Sequence, residues 1–185
     1  GDEVFLPINI ILYFIVQLGM RVGEVLAMKW KKGKNDIGEK HSFSYIYLNS
    51  NFDKLHIHFK KRLRVLPLKK DFQILLKKIK SDTNSKTYVL ENHIRLKSGK
   101  RHPQSTSKPF NDTYCSRPLK TLLRRLKVDD RYTPHCFRHS FVTDLWRKGN
   151  LLSHIGNVVG HSDVRMTELY GHLDTSDMVS VLDMV

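Results

Sequence analysis

Between residues 43 and 66 the hydrophobic period of this chain shifts from that of a helix to that of a strand, and this shift restricts the fold more than any other stretch. Side chains alternate faces along a strand, so a period of two marks a half-buried ladder. Phe43, Tyr45 and Tyr47 alternate with Ser44, Ile46 and Leu48; Leu55, Ile57 and Phe59 alternate with His56 and His58; Leu63 and Val65 alternate with Arg62 and Arg64. Three short antiparallel strands follow from this, with a tight turn near Lys60-Lys61 and Pro67 closing the last strand. The flanks return to helical spacing. Phe5 to Leu18 predicts a core helix stopped by Gly19, and Val22 to Trp30 a second helix. Phe72, Leu75, Leu76 and Ile79 form one further stripe, Leu119, Leu122, Leu123 and Leu126 another, and Phe137, Phe141 and Leu145 a third that starts near Pro134. Shorter helices are expected near 151–159 and 163–170, with a weak one near 175–184, while residues 81–112, with Pro103 and Pro109, read mostly as loop. The expected fold class is α+β, mainly helical, with a small three-stranded antiparallel sheet.

A chain of 185 residues fits one domain with a real core, and 40% hydrophobic residues argue against disorder. Its net charge of +14 is unevenly spread. Residues 1–160 hold 31 Lys/Arg against 13 Asp/Glu, whereas residues 161–185 hold one Arg and five acids. The basic part suggests a polyanionic partner, since each cation that neutralises a phosphate releases condensed counterions. The acidic tail should avoid the polyanion and pack on protein. Cys115 and Cys136 form no metal-binding pair, which fits small apolar fillers in a reduced, intracellular chain. The apolar run Val4 to Met20 is interrupted by Pro7, Asn9 and Gln17 and is short for a membrane span, so it reads as a buried helix.

The chemistry-bearing residues concentrate in Thr133-Pro134-His135-Cys136-Phe137-Arg138-His139, then Gly160-His161 and Tyr170. Positions i and i+3 share a helix face, so His135 and Arg138 aim at one target. A guanidinium suits a phosphodiester because its planar fork matches two oxygens and keeps its charge. Taken alone, H-x-x-R is a common pattern. His135 and His139 have the spacing of a metal pair, but Cys136 stands where a metalloprotease needs Glu, and Arg138 repels a cation. Arg21 lies three residues before Glu24, which fits either a cap or surface ion pair, or a second guanidinium held by the carboxylate. Tyr170 needs cationic neighbours to act as a nucleophile, because a free phenol ionises near pH ~10.

Together, Arg21 in Gly19-Met20-Arg21-Val22-Gly23-Glu24, the lysine-bearing strand turn, His135-x-x-Arg138, Gly160-His161 and Tyr170 occur in an order that closely resembles the tyrosine recombinase (phage integrase) family, catalytic domain. The resemblance covers essentially the whole chain, and residues 133–173 are its most specific part. It implies that Arg21 and Arg138 clamp a phosphate and that His135 stands between them. It also implies that His161 fills the family's His-or-Trp position and that Tyr170 is the nucleophile. The family's lysine sits in the turn before an Arg-x-x-Pro that resembles Arg64 to Pro67, which points to Lys60, with Lys61 the alternative. Glu24 is expected to support Arg21.

The implied activity is cutting and rejoining of double-stranded DNA through a 3′-phosphotyrosine, with no metal, nucleotide or other cofactor. The implied assembly is a homo-tetramer on DNA that is monomeric when free, with no membrane partner, in the cytoplasm of a bacterial, archaeal or mobile-element host. Residues 1–172 are expected to form the catalytic body and 173–185 a tail suited to subunit contact. The family's N-terminal DNA-binding domain is not among these residues, so the catalytic part of a longer protein is expected. The alternatives at this stage are a type IB topoisomerase-like strand breaker and a non-catalytic DNA-binding module of the same fold.

Overall fold

A computed structural model describes residues 7–33, 45–59, 62–83, 85–90 and 115–161. The apolar N-terminal run forms helix α1 (Pro7–Leu18), which stops where Gly19 turns the chain at φ +61°. Ile8, Ile10, Ile11, Phe14 and Ile15 are buried, so the run that raised a membrane question is a core element. No described helix is long and apolar enough to cross a membrane.

The second helix departs from expectation. Helix α2 spans Val22–Leu26 only, and Met28–Lys29 continue as a short strand, β1. Tertiary pairing overrides the local helical pattern here. Met28 and Lys29 lie parallel to Ile46 and Tyr47, the Val89 N–H donates to the Met28 carbonyl (2.8 Å), and the Trp30 N–H donates to the Thr87 carbonyl (3.1 Å). These bonds bury Met28 completely and Trp30 almost so. They also give the segment read as loop after residue 83 a structural role in its Ser85–Leu90 part.

The three expected strands are β2 (Tyr45–Leu48), β3 (Lys54–Phe59) and β4 (Arg62–Pro67), paired antiparallel in sequence order. With β1 joined in parallel, the sheet has four strands and is mixed, where three antiparallel strands were expected. Its register places Ile46, Ile57 and Arg64 in one cross-strand row and Leu48, Leu55 and Leu66 in the next, all on one face. This face packs on α1, on α3 (Lys70–Thr83) and on α4 (Ser116–Arg125). In β4 the alternation does not sort by polarity: Leu63 and Val65 are exposed, while Arg64 takes the inner face.

Helix α5 (Pro134–Arg147) starts at the proline and packs on α1. Helix α6 (Leu152–Val159) closes the described chain, with Val142, Ile155 and Val159 forming a small separate core between α5 and α6. Lys60 and Lys61, Tyr170, and the helices expected near 163–170 and 175–184 lie outside the described residues. The fold is α+β and mainly helical, as the periodicities indicate.

Candidate active site

The site is built where two helices end and a third begins. A helix leaves its last carbonyls without intrahelical donors, and they carry the negative end of its dipole. Gly19 follows the end of α1, and Val159 and Gly160 end α6. Arg138, on the first turns of α5, is 4% exposed and donates from Nη1 to the Gly19 carbonyl and from Nη2 to the Val159 carbonyl (2.7 Å). Two orphaned carbonyls thus compensate one buried cation, and the same bonds tie α1, α5 and α6 together. Gly19 is needed for the approach: a Cβ there would overlap the Phe141 ring and meet Val159 Cγ1 at 3.0 Å.

Arg21 uses the same kind of acceptor. Its Nη2 donates to the Gly160 carbonyl at 3.3 Å, and its Nη1 pairs with Glu24 Oε1 at 3.2 Å. The Arg21 backbone N–H donates to Glu24 Oε2 at 2.9 Å, one arm of a capping box. Glu24 is 5% exposed, which removes the surface-ion-pair reading. Its Oε2 also accepts from Arg64 Nη2 at 2.7 Å, so one buried carboxylate holds two guanidiniums.

The α6 helix ends on Gly160 in the left-handed region, at φ +71°. Backbone N–H groups of both Gly160 and His161 donate to the Gly156 carbonyl, at 2.8 and 3.0 Å, and fold the chain so that His161 reaches this cluster. Burial pushes the His161 pKa down to about 4, and Arg138, Arg21, Arg64 and His139 add to the effect. Its imidazole is therefore neutral at pH 7 and offers one N–H donor. His135 shifts the same way, from burial first and then from His139, Arg138 and Arg21. His135 and His139 meet edge to face with centroids 4.9 Å apart. Among the described residues no further His, Cys, Asp or Glu joins them in a group that could hold a metal. At the start of α5, Cys136 takes the place a capping box gives to Glu: its Sγ lies 3.5 Å from the Thr133 N and 3.3 Å from Thr133 Oγ1, contacts that lower its thiol pKa. A cleft of about 600 Å³ opens beside these groups, lined by Arg21, Glu24, Thr133 and His135 with Val22 and Ile46 among its apolar walls.

Of the six residues singled out from sequence, Arg21, His135, Arg138 and His161 come together, although Arg21 is more than 100 residues from the others. Lys60 and Tyr170 lie outside the described residues. Arg64 is the member that sequence reasoning used only as a landmark. The signal was present in the strand alternation, because it shares a row with Ile57 and Ile46, where a charge requires a buried partner.

Three guanidiniums and three imidazoles around one carboxylate define a site for an anion with several oxygens, such as a phosphodiester, on a mainly helical α+β fold. Residues 6–177 match the phage integrase family, and the chain belongs to it. Over 75 residues it is 32% identical to tyrosine recombinase XerC of Mesorhizobium japonicum, a stretch covering 40% of this chain and 24% of that protein. Over 110 residues it is 30% identical to a tyrosine recombinase of Thermosipho africanus, covering 60% of this chain and 34% of that protein. The matched stretches thus span a quarter to a third of these relatives.

Among solved structures, the XerH site-specific recombinase bound to palindromic difH substrate, a post-cleavage complex, matches with a TM-score of 0.65 at 19% identity, over 95% of this chain and 44% of that one. The Tn1549 transposon integrase in complex with circular intermediate DNA matches with a TM-score of 0.61 at 16% identity, over 100% of this chain and 61% of that one. At these identities the likeness concerns the fold.

Proposed function

We propose that this chain is the catalytic domain of a site-specific DNA recombinase that cleaves and rejoins strands through a covalent 3′-phosphotyrosine on Tyr170. The observation that carries this reading is the convergence of Arg21, Arg138 and His161 on the Val159–His161 turn, in a chain of this family. The Tyr170 oxygen attacks the scissile phosphorus, the bond to the 5′-oxygen breaks, and a 5′-hydroxyl leaves. Arg21 and Arg138 stabilise the charge on the pentacoordinate transition state, and neutral His161 adds an N–H donor to a phosphoryl oxygen. Lys60 supplies the proton to the leaving oxygen, and His135 assists removal of the phenol proton. The covalent bond conserves the phosphodiester, so a 5′-hydroxyl of a partner duplex reverses the step without nucleotide.

Relatives bound to DNA support duplex DNA as the partner: one structure is a complex with difH and another with a circular intermediate. Exchange between two duplexes requires four active sites, so the working assembly is a tetramer on DNA, and residues 173–185 serve as a subunit contact. Incubation with a nicked suicide duplex that carries the native recombination site, followed by denaturing electrophoresis, tests the reading. The expected result is a covalent protein–DNA band that is absent from Tyr170→Phe. A band that persists in that variant refutes Tyr170 as the nucleophile. Loss of the band in Lys61→Ala but not Lys60→Ala moves the proton donor by one residue.

A further inference from the structure

Arg64 has an environment that packing alone does not explain. It lies on the inner face of the sheet, where its cross-strand row is otherwise Ile57 and Ile46. Burial is the main influence on its guanidinium and lowers its pKa, opposed chiefly by the Glu24 charge. An arginine at such a position is retained at a desolvation cost, so its partners indicate its use. On one side, Nη2 holds Glu24 Oε2 at 2.7 Å, and that carboxylate holds both the Arg21 side chain and the Arg21 backbone. On the other side the guanidinium presses on Gly160, where an added Cβ would meet Arg64 Cζ at 2.9 Å and Cδ at 3.3 Å. Gly160 in turn offers its carbonyl to Arg21 and is followed by His161.

Resting on the recombinase reading of this site, we propose that Arg64 is a positioning residue that sets the charge and placement of Arg21 and the seat of His161, without touching DNA. The electrostatics support a role beyond filling space. With Arg64 present, Arg21, Arg64 and Glu24 together carry one positive charge, so Arg21 faces the phosphate as a cation. Without Arg64, Glu24 is shared with no second cation and neutralises Arg21. The geometry works in the same direction: a carboxylate pulled from both sides fixes the Arg21 fork, and a guanidinium packed under Gly160 fixes the turn that delivers His161. Lysine supplies the charge but only a point donor and no planar surface.

The test compares Arg64→Gln and Arg64→Lys with the unaltered chain in two assays. In the first, without DNA, imidazole resonances are followed by NMR as pH is varied. The groups facing His161 are Arg138, Arg21, Arg64 and His139, and losing Arg64 should raise the His161 midpoint from about 4 towards 6.5. In the second, binding and covalent adduct formation are measured on the nicked duplex. The expected result for Arg64→Gln is a cleavage rate down by about 10²-fold, as when a preorganised donor is lost. DNA affinity should stay within about threefold and the salt dependence of binding should not change, because no phosphate contact is removed. Arg64→Lys should recover part of the rate, and it carries both assays if Arg64→Gln does not fold. An unchanged His161 midpoint together with an unchanged rate in a folded variant overturns the proposal. A salt slope shallower by about 0.9, the signature of one lost phosphate contact, also overturns it. If the unaltered chain forms no adduct, the recombinase reading fails, and the His161 titration still decides the role of Arg64.

Discussion

At the scale of single residues, charge and shape are concentrated on two positions, His161 and Gly160. The folded chain holds the His161 pKa at about 4 against an ordinary 6.5. On acidification the unfolded chain takes up this proton first. The contribution of neutral His161 is therefore complete above pH 6.5 and is lost as pH falls towards 4. Because the ring is only partly buried, solvent screening reduces the effect to about 1–2 kcal/mol. Urea denaturation at a series of pH values should show stability falling through this window, and His161→Gln should flatten the fall. A bound phosphate reverses part of the shift, so inorganic phosphate should raise the His161 midpoint in NMR titrations. Gly160→Ala combines a left-handed backbone with overlap on the Arg64 guanidinium. It should lower the unfolding free energy by about 1–3 kcal/mol, measured by chemical denaturation.

At the scale of elements, the helices were legible in the sequence and the chain's long-range pairings were not. Helices α1, α3, α4, α5 and α6 follow apolar stripes and end signals such as Gly19 and Pro134, which are local properties. The Val22–Trp30 segment has an equally good local pattern, yet its second half becomes β1 because residues 46–47 and 87–89 offer it hydrogen-bond partners. Arg64 was hidden for a related reason. Its inward face is decided by Glu24, forty residues away, and not by the alternation of β4 itself. The four described residues of the candidate site were found because a family order, more than spacing, links them. The α5–α6 contact is the thinnest part of the described core, resting on Val142, Ile155 and Val159. Ile155→Ala should lower stability by about 2–4 kcal/mol in thermal or urea unfolding, since so few neighbours can collapse into the gap.

At the scale of the whole molecule, the excess positive charge of residues 1–160 should govern DNA binding. The logarithm of the binding constant should fall linearly with the logarithm of salt concentration, measured by fluorescence anisotropy on duplex DNA. Arg21→Ala should reduce that slope by about 0.9 as one phosphate contact is lost.

The Arg138 clasp has a consequence for the order of assembly. Its two acceptors belong to the far ends of the described chain, Gly19 after the first helix and Val159 at the end of the last. The site therefore comes into being only when α6, the last described helix to leave the ribosome, docks. A nascent or partly opened chain lacks the arginine's second acceptor and the turn that carries His161, so an unfinished enzyme is an inactive one. Amide hydrogens of α6 should accordingly exchange faster than those of α1 and the sheet, and heat should abolish strand cleavage before it melts the rest of the domain.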